Sequence, residues 1–191
     1  MMGALLGGLT LLIWLGLIFA HGEFWCARVT DRGMPPAPKQ WPSVTAIIPA
    51  RNEADVIARS IGSLLQQDYS GEFCVMLVDD NSTDGTAEAA RTLSDARLTI
   101  LSGAPLPAGW TGKLWALSQG IAAAERPEFL WLTDADIEHA PDTLRALVSR
   151  AEDDGLELVS LMARLHCATF GSGCWFPRSC SSSRCSIRSR A

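Results

Sequence analysis

The stretch FCVMLVDDNSTDGT, residues 73–86, decides the fold because an unbroken apolar run passes directly into a polar turn. A short apolar run without polar alternation is typical of a strand that is buried on both faces of a sheet. The Asp, Ser, Thr and Gly residues that follow are typical of turns and helix starts. The stretch therefore predicts a buried strand over 73–78 and a helix that begins at Thr83 or Asp84.

Outward from this stretch, apolar runs predict four more strands, and helical spacing predicts helices between them. The strands are expected at 44–48, 98–101, 129–133 and 157–162, and the helices start at an Asn52 cap, at 114 and at Pro141. Helices between buried strands imply parallel crossover connections. Residues 44–165 are therefore predicted to form an open α/β sheet of nucleotide-binding type.

Composition and charge exclude some classes of protein. The chain has 191 residues, of which 48% are hydrophobic and 19% charged, so it can bury a core. A net charge of −5 gives no support to nucleic-acid binding, which usually needs a basic face. Residues 166–191 hold four Arg and no acid, so this tail carries +4 and the rest of the chain −9.

The N-terminal residues predict a membrane anchor. Residues 1–20 contain no charged residue, and about 20 apolar residues in a helix span the hydrocarbon core of a bilayer. A cleaved signal peptide is the alternative, but no basic residue precedes the run and residues 19–22, FAHG, are a poor cleavage site. We expect one anchor over 1–22, a proline-rich linker over 23–43, and the domain on the cytoplasmic side, because Arg28, Arg32 and Lys39 follow the run.

Acidic segments follow several of the predicted strands, and in a parallel sheet the carboxyl ends of the strands meet at one ligand-binding edge. Asp134 and Asp136 follow the fourth strand at positions i and i+2. Two such carboxylates can share Mg²⁺ or Mn²⁺, which completes its coordination with water and phosphate oxygens. Such a metal stabilises the charge of a departing diphosphate. Capping of the next helix is the alternative role for both acids.

Three further charged residues are candidates for nucleotide contacts. Asp79 or Asp80, at the end of the second strand, can accept a hydrogen bond from a base N–H or a ribose hydroxyl. The neighbouring Ser82, Thr83 and Asp84 are expected to have a structural role in capping. Lys113 begins a predicted helix, where its ammonium can meet a phosphate, and a solvated surface lysine is the alternative.

Four motifs in this order resemble the family 2 inverting glycosyltransferases of GT-A fold: IIPARNE at 47–53, VDDNSTDGT at 78–86, GK at 112–113 and TDAD at 133–136. With the apolar N-terminus and GWTGKLWA at 109–116, the sequence is most similar to the hopanoid-biosynthesis-associated members. The resemblance implies a GT-A fold whose sheet is incomplete in this chain. It also implies an enzyme that transfers a sugar from a nucleotide-diphosphate donor to an acceptor hydroxyl, with inversion. It implies that Pro49, Arg51 and Glu53 lie along the nucleotide. It also implies that Asp79 or Asp80 reads the base, Lys113 lies near the phosphates, and Asp134 and Asp136 hold the metal.

The sequence gives less information about how the acceptor is bound and deprotonated. No acidic residue follows Glu157, so the general base is not assigned. The predicted anchor favours a lipid-like acceptor. The tail over 166–191 is rich in Ser, Cys and Arg, lacks apolar periodicity, and is interpreted as disordered and out of frame from Gly171 onward. The alternatives are a truncated, non-catalytic nucleotide-sugar-binding fragment and a nucleotidyltransferase.

Overall fold

The computed structural model describes residues 2–17, 35–160 and 185–188. The first of these segments forms helix α1, Met2–Leu15. Among the helices of the described segments, none has both the length and the apolar character that crossing a membrane requires. Residues 18–22 of the predicted anchor and residues 23–34 of the predicted linker lie outside the described residues.

The remaining described residues form an α/β domain in which strands and helices alternate. In chain order its elements are β1 Val44–Ala50, α2 Ala54–Leu65, β2 Phe73–Asp79, α3 Thr86–Arg91, β3 Leu98–Ser102, α4 Gly112–Ala123, β4 Phe129–Leu132, α5 Thr143–Asp153, β5 Leu158–Ser160 and β6 Cys185–Arg188. The strand order in the sheet is β3-β2-β1-β4-β6-β5. Strand β1 pairs in parallel with β2 and β4, and β2 pairs in parallel with β3. The predicted α/β parallel sheet is therefore confirmed.

Strand β6 is an element that the sequence analysis did not predict. It pairs antiparallel with β4 on one side and with β5 on the other. It lies inside the segment 166–191, which the sequence predicts to be disordered, and residues 166–184 and 189–191 of that segment lie outside the described residues.

The sheet has an apolar cluster on each face, because successive side chains of a strand point to opposite faces. Ala46 and Ile48 of β1 belong to the larger cluster, with the buried residues of α2 and α5. Ile47 belongs to the smaller cluster on the α4 side. Each fully buried Ile or Leu contributes about 1.5–3 kcal/mol to folding. The continuous apolar runs in the sequence are thus explained by burial on both faces.

Helix α4 packs very closely on the sheet through small residues. Ala116 is fully buried, and a Cβ atom on Gly120 would lie 2.5 Å from Ile47 Cγ2 and 3.0 Å from Val78 Cγ2. Only glycine therefore allows this approach between helix and sheet. The register of the parallel strands also places Ala50 beside Asp79, so β1 and β2 end at the same edge.

Candidate functional site

A cleft of about 370 Å³ lies at the edge where β1, β2 and β4 end. The predicted site residues that line this cleft are Pro49, Arg51, Glu53, Asp80, Lys113, Asp134 and Asp136. The structure thus brings together side chains from three strand ends and from the start of α4. Asp79 is the predicted site residue that does not line the cleft.

The two neighbouring acids at the end of β2 have different environments. Asp80 is 7% exposed, and its Oδ2 lies 3.4 Å from Arg51 Nη1 in the cleft. The Asp79 carboxylate instead accepts a hydrogen bond of 3.2 Å from the backbone N–H of Ser82. Of the two acids that the sequence proposes for contact with the base, Asp80 is thus the one that the structure places in the cleft. Asp79 closes the turn after β2.

Reciprocal hydrogen bonds join the loop after β1 to the loop after β2. The Asn52 N–H donates to Ser82 Oγ at 3.0 Å, and the Thr83 N–H donates to Asn52 Oδ1 at 2.9 Å. Asn52 and Asn81 both adopt left-handed backbone conformations, with φ of 56° and 55°, which asparagine tolerates better than most residues. The two loops therefore hold each other in a defined shape beside the cleft.

The polar turn after β2 also caps helix α2, although the two segments are far apart in the sequence. The N–H groups of Glu53 and Ala54 donate to Thr86 Oγ1 at 2.9 Å and to Asp84 Oδ2 at 3.0 Å. The prediction that Asn52 caps this helix is wrong, because the residue at the N-cap position is Glu53. The Glu53 side chain makes no capping hydrogen bond. Hydrogen bonds from Thr86 and then Ala54 hold the pKa of Asp84 below its usual range.

Lys113 and Asp134 face each other in the cleft. Lys113 Nζ lies 2.6 Å from Asp134 Oδ1, and both side chains are about half exposed. The backbone beside Asp134 is held to the sheet because the Thr133 N–H donates to Ile47 O at 3.3 Å. Lys113 thus partners a carboxylate in this structure and is not a purely solvated surface lysine.

Asp134 and Asp136 provide oxygen ligands of the type that Mg²⁺ and Mn²⁺ prefer. Among the described residues, no group of three or more His, Cys, Asp or Glu side chains is arranged to hold a metal ion. A pair of carboxylates leaves most coordination positions for water and substrate phosphates, which is the usual arrangement for Mg²⁺ with nucleotides. The donor set therefore fits a cation that binds together with a diphosphate.

The cleft also contains small residues that the sequence analysis did not select as site residues, namely Ala50, Gly112, Ala116 and Ala135. Gly112 is the most informative of them, because a Cβ atom there would lie 2.9 Å from Asp80 Oδ2. Its position directly before Lys113 is the sequence feature that could have identified Gly112 as a site residue. The missing side chain at 112 leaves room for the Asp80 carboxylate.

A largely parallel sheet with a charged cleft at the carboxyl ends of its strands places the chain among the α/β domains that bind ligands at this edge. The family model described as glycosyl transferase family 2 matches residues 45–172, so this chain belongs to glycosyltransferase family 2. This confirms the family expected from the four motifs.

Several known proteins are similar to the chain. It is 35% identical over 137 residues to the succinoglycan biosynthesis protein ExoO of Rhizobium meliloti (strain 1021), covering 68% of this chain and 38% of that protein. It is 33% identical over 137 residues to the beta-monoglucosyldiacylglycerol synthase of Nostoc sp. (strain PCC 7120 / SAG 25.82 / UTEX 2576), covering 70% of this chain and 27% of that protein.

Among solved structures, the chain is similar to the mannosyltransferase PcManGT from Pyrobaculum calidifontis in complex with GDP-Man and Mn²⁺. The TM-score is 0.60 and the identity 32%, over 78% of this chain and 43% of that one. The match supports a GT-A-like fold. The chain spans less than half the length of each of these three proteins.

Proposed function

We propose that residues 44–165 bind the donor of a glycosyltransferase that moves a sugar from a nucleotide diphosphate to an acceptor hydroxyl, with inversion and with a divalent cation. The observation that supports it most is the single cleft that holds Asp80, Lys113, Asp134 and Asp136. The complex of the mannosyltransferase with GDP-Man and Mn²⁺ supports the same donor chemistry.

In this proposal each charged residue of the cleft has one task. Asp80 accepts a hydrogen bond from the base or the ribose, and Arg51 holds the Asp80 carboxylate in place. Lys113 exchanges its contact with Asp134 for a phosphate oxygen, helped by the positive N-terminal end of α4. Asp134 and Asp136 hold Mg²⁺ or Mn²⁺, which supplies positive charge that stabilises the departing diphosphate.

The general base is not assigned to a described residue. Glu138, the first acid after Asp136, forms an exposed ion pair with Arg59 at 3.2 Å. An inverting displacement needs a base that takes the proton of the acceptor hydroxyl. A non-catalytic nucleotide-sugar-binding fragment is therefore the second candidate. It is favoured by the lack of an assigned general base among the described residues.

The acceptor in this proposal is lipid-like, and the protein is attached to a membrane with the domain on the cytoplasmic side. The uncharged residues 1–20 and the basic residues after them support the attachment. The name of the Nostoc relative, beta-monoglucosyldiacylglycerol synthase, supports a lipid-like acceptor. A place in hopanoid metabolism rests on the motif resemblance and is part of the proposal.

The change of reading frame from Gly171 onward is a separate proposal. The family match extends to residue 172, and the sequence after it is rich in Ser, Cys and Arg. The nucleotide sequence of the coding DNA tests it directly. A correctly read, continuous frame through codon 191 would eliminate this proposal and would leave the donor site unaffected.

The donor site is tested by calorimetric titration of the full chain with UDP and GDP, with Mn²⁺ or with EDTA. We expect binding that needs the metal and that is lost when Asp134 and Asp136 are both replaced by Ala. Asp153→Ala removes an exposed acid at the end of α5 and serves as the matched control, with unchanged binding. Equal binding by wild type and the double variant would refute the site.

Activity assays separate the candidate functions. Sugar transfer from a nucleotide sugar identifies the transferase, and binding without transfer identifies the non-catalytic fragment. Release of pyrophosphate from a nucleoside triphosphate identifies a nucleotidyltransferase, which is the third interpretation of the acidic cleft.

A further inference from the structure

Helix α4 packs on the sheet through its smallest residues and through Leu117, and it exposes two large apolar side chains. Ala116 and Gly120 are buried against the sheet, whereas Leu114 is 58% and Ile121 43% exposed. Positions 114 and 121 are seven residues apart, so both side chains lie on the same outer face of the helix. A surface helix normally buries its large apolar side chains and exposes polar ones. The exposed Leu114 and Ile121 indicate an outer face that contacts another apolar phase.

The loop before α4 extends this apolar face. Residues 103–112 contain no charged side chain, residues 104–111 are all exposed, and Leu106 and Trp110 are 50% and 46% exposed. With Leu114 and Ile121 they form what we name the α4 apolar surface. Several large apolar side chains exposed together on one segment are more informative than the same residues scattered singly.

Specific contacts hold this loop in shape. The Ala104 N–H donates to Gln119 Oε1 at 2.7 Å, and Trp115 Nε1 donates to Ala104 O at 3.1 Å. The rings of Trp110 and Trp115 pack edge to face, with centroids 5.2 Å apart. The exposed apolar side chains are therefore presented by a supported backbone. The loop ends at Gly112 and Lys113, which both line the cleft.

Charge indicates which kind of partner this surface fits. The chain has 21 acidic residues, yet residues 96–124 contain no acid and two basic residues, Arg97 and Lys113. A segment with exposed Trp and Leu suits the interface of a bilayer, and its lack of acidic side chains avoids repulsion by anionic lipids. A protein interface usually surrounds its apolar centre with a polar rim, whereas the loop over residues 103–112 contains no charged side chain.

We infer that the α4 apolar surface lies against the lipid bilayer, so that the cleft opens next to the membrane at Lys113. This inference rests on the proposed function only for its consequence, which is that a lipid-linked acceptor hydroxyl reaches the cleft from the bilayer. Membrane contact of the surface is measurable without nucleotide, sugar or acceptor.

Bromolipid quenching of tryptophan fluorescence tests the contact. The full chain is reconstituted in vesicles of phosphatidylcholine and phosphatidylglycerol, with or without brominated acyl chains. Subtracting the fluorescence of Trp110→Phe from that of wild type gives the emission of Trp110. Subtracting the fluorescence of Trp131→Phe from that of wild type gives the emission of Trp131, whose fully buried indole is the control. We expect loss of Trp110 emission in brominated vesicles and unchanged Trp131 emission. Trp110 emission that brominated lipid leaves unchanged would overturn the inference.

A second pair of variants separates bilayer contact from other occupants. Leu114→Asp combined with Ile121→Asp places charges on the α4 apolar surface, and Leu156→Asp does the same at a distant residue that is 38% exposed. We expect the first variant to lose the quenching of Trp110 and the second to retain it. Self-association of unquenched wild type in sedimentation, abolished by the first variant, would assign the surface to a second copy and refute bilayer contact.

Nucleotide titrations on the same samples keep the two proposals distinct. Quenching of Trp110 without metal-dependent nucleotide binding would refute the proposed donor site and leave the membrane surface standing. Nucleotide binding without quenching of Trp110 would refute the membrane surface and leave the proposed donor site standing.

Discussion

Replacement of Gly112 by Ala tests whether the space next to Asp80 is needed for nucleotide binding. The new Cβ would lie 2.9 Å from Asp80 Oδ2, closer than such atoms normally approach, and Asp80 is only 7% exposed. The carboxylate must therefore rotate away from Arg51 and from its place in the cleft. A hydrogen bond to a charged group contributes about 1.5–3 kcal/mol. Its loss corresponds to roughly a tenfold to 100-fold weaker affinity.

Calorimetric titration with UDP and GDP measures this loss, and chemical unfolding shows whether the fold is retained. Alanine is a better helix former than glycine by up to about 1 kcal/mol, so we expect no large loss of stability in Gly112→Ala. The matched control is Gly62→Ala in α2, where a Cβ would meet nothing within 4 Å. We expect that control to be about 0.5–1 kcal/mol more stable and to bind normally. Wild-type affinity in Gly112→Ala would show that Asp80 does not contact the nucleotide.

Three further predictions concern other contacts of the domain. Lys113→Gln removes an exposed ion pair with Asp134, so stability should change by about 1 kcal/mol or less, while calorimetry should show weaker binding of UDP but not of uridine. Gly120→Val forces α4 away from the sheet and should cost about 1–3 kcal/mol in urea unfolding, and unchanged stability would contradict the close packing. The lowered pKa of Asp84 means that its carboxylate stabilises the fold above about pH 4 and that this contribution is lost as the pH falls through the lowered pKa. Thr86→Val should therefore reduce the loss of stability in acid, as measured by unfolding at pH 3 and pH 7.

Much of the domain could be predicted because its signals are local. Continuous apolar runs such as 73–78 identified doubly buried strands, and helical spacing between them indicated parallel crossovers. Parallel strands then require that the residues after each strand share one edge. This reasoning was enough to propose that Asp80 and Asp136 meet in one cleft, where the structure places both.

Contacts between distant parts of the chain could not be predicted in this way. The capping of α2 by Thr86 and Asp84 joins residues 30 or more positions apart, and so does the contact between Asn52 and Thr83. A local reading assigned the cap to Asn52 because an asparagine before a helix is a common cap. The antiparallel strand β6 was missed because its sequence has no apolar pattern and its pairing depends on β4 and β5.

The amino-acid sequence alone determined the family, the order of the helices and strands from β1 to β5, and the charged residues available for chemistry, because these depend on residue type and spacing. The tertiary structure alone decided that Asp80 and not Asp79 faces the cleft, that Lys113 contacts Asp134, and that α4 exposes Leu114 and Ile121. The physical reason is that the direction of a side chain is set by backbone contacts with segments far away in the chain.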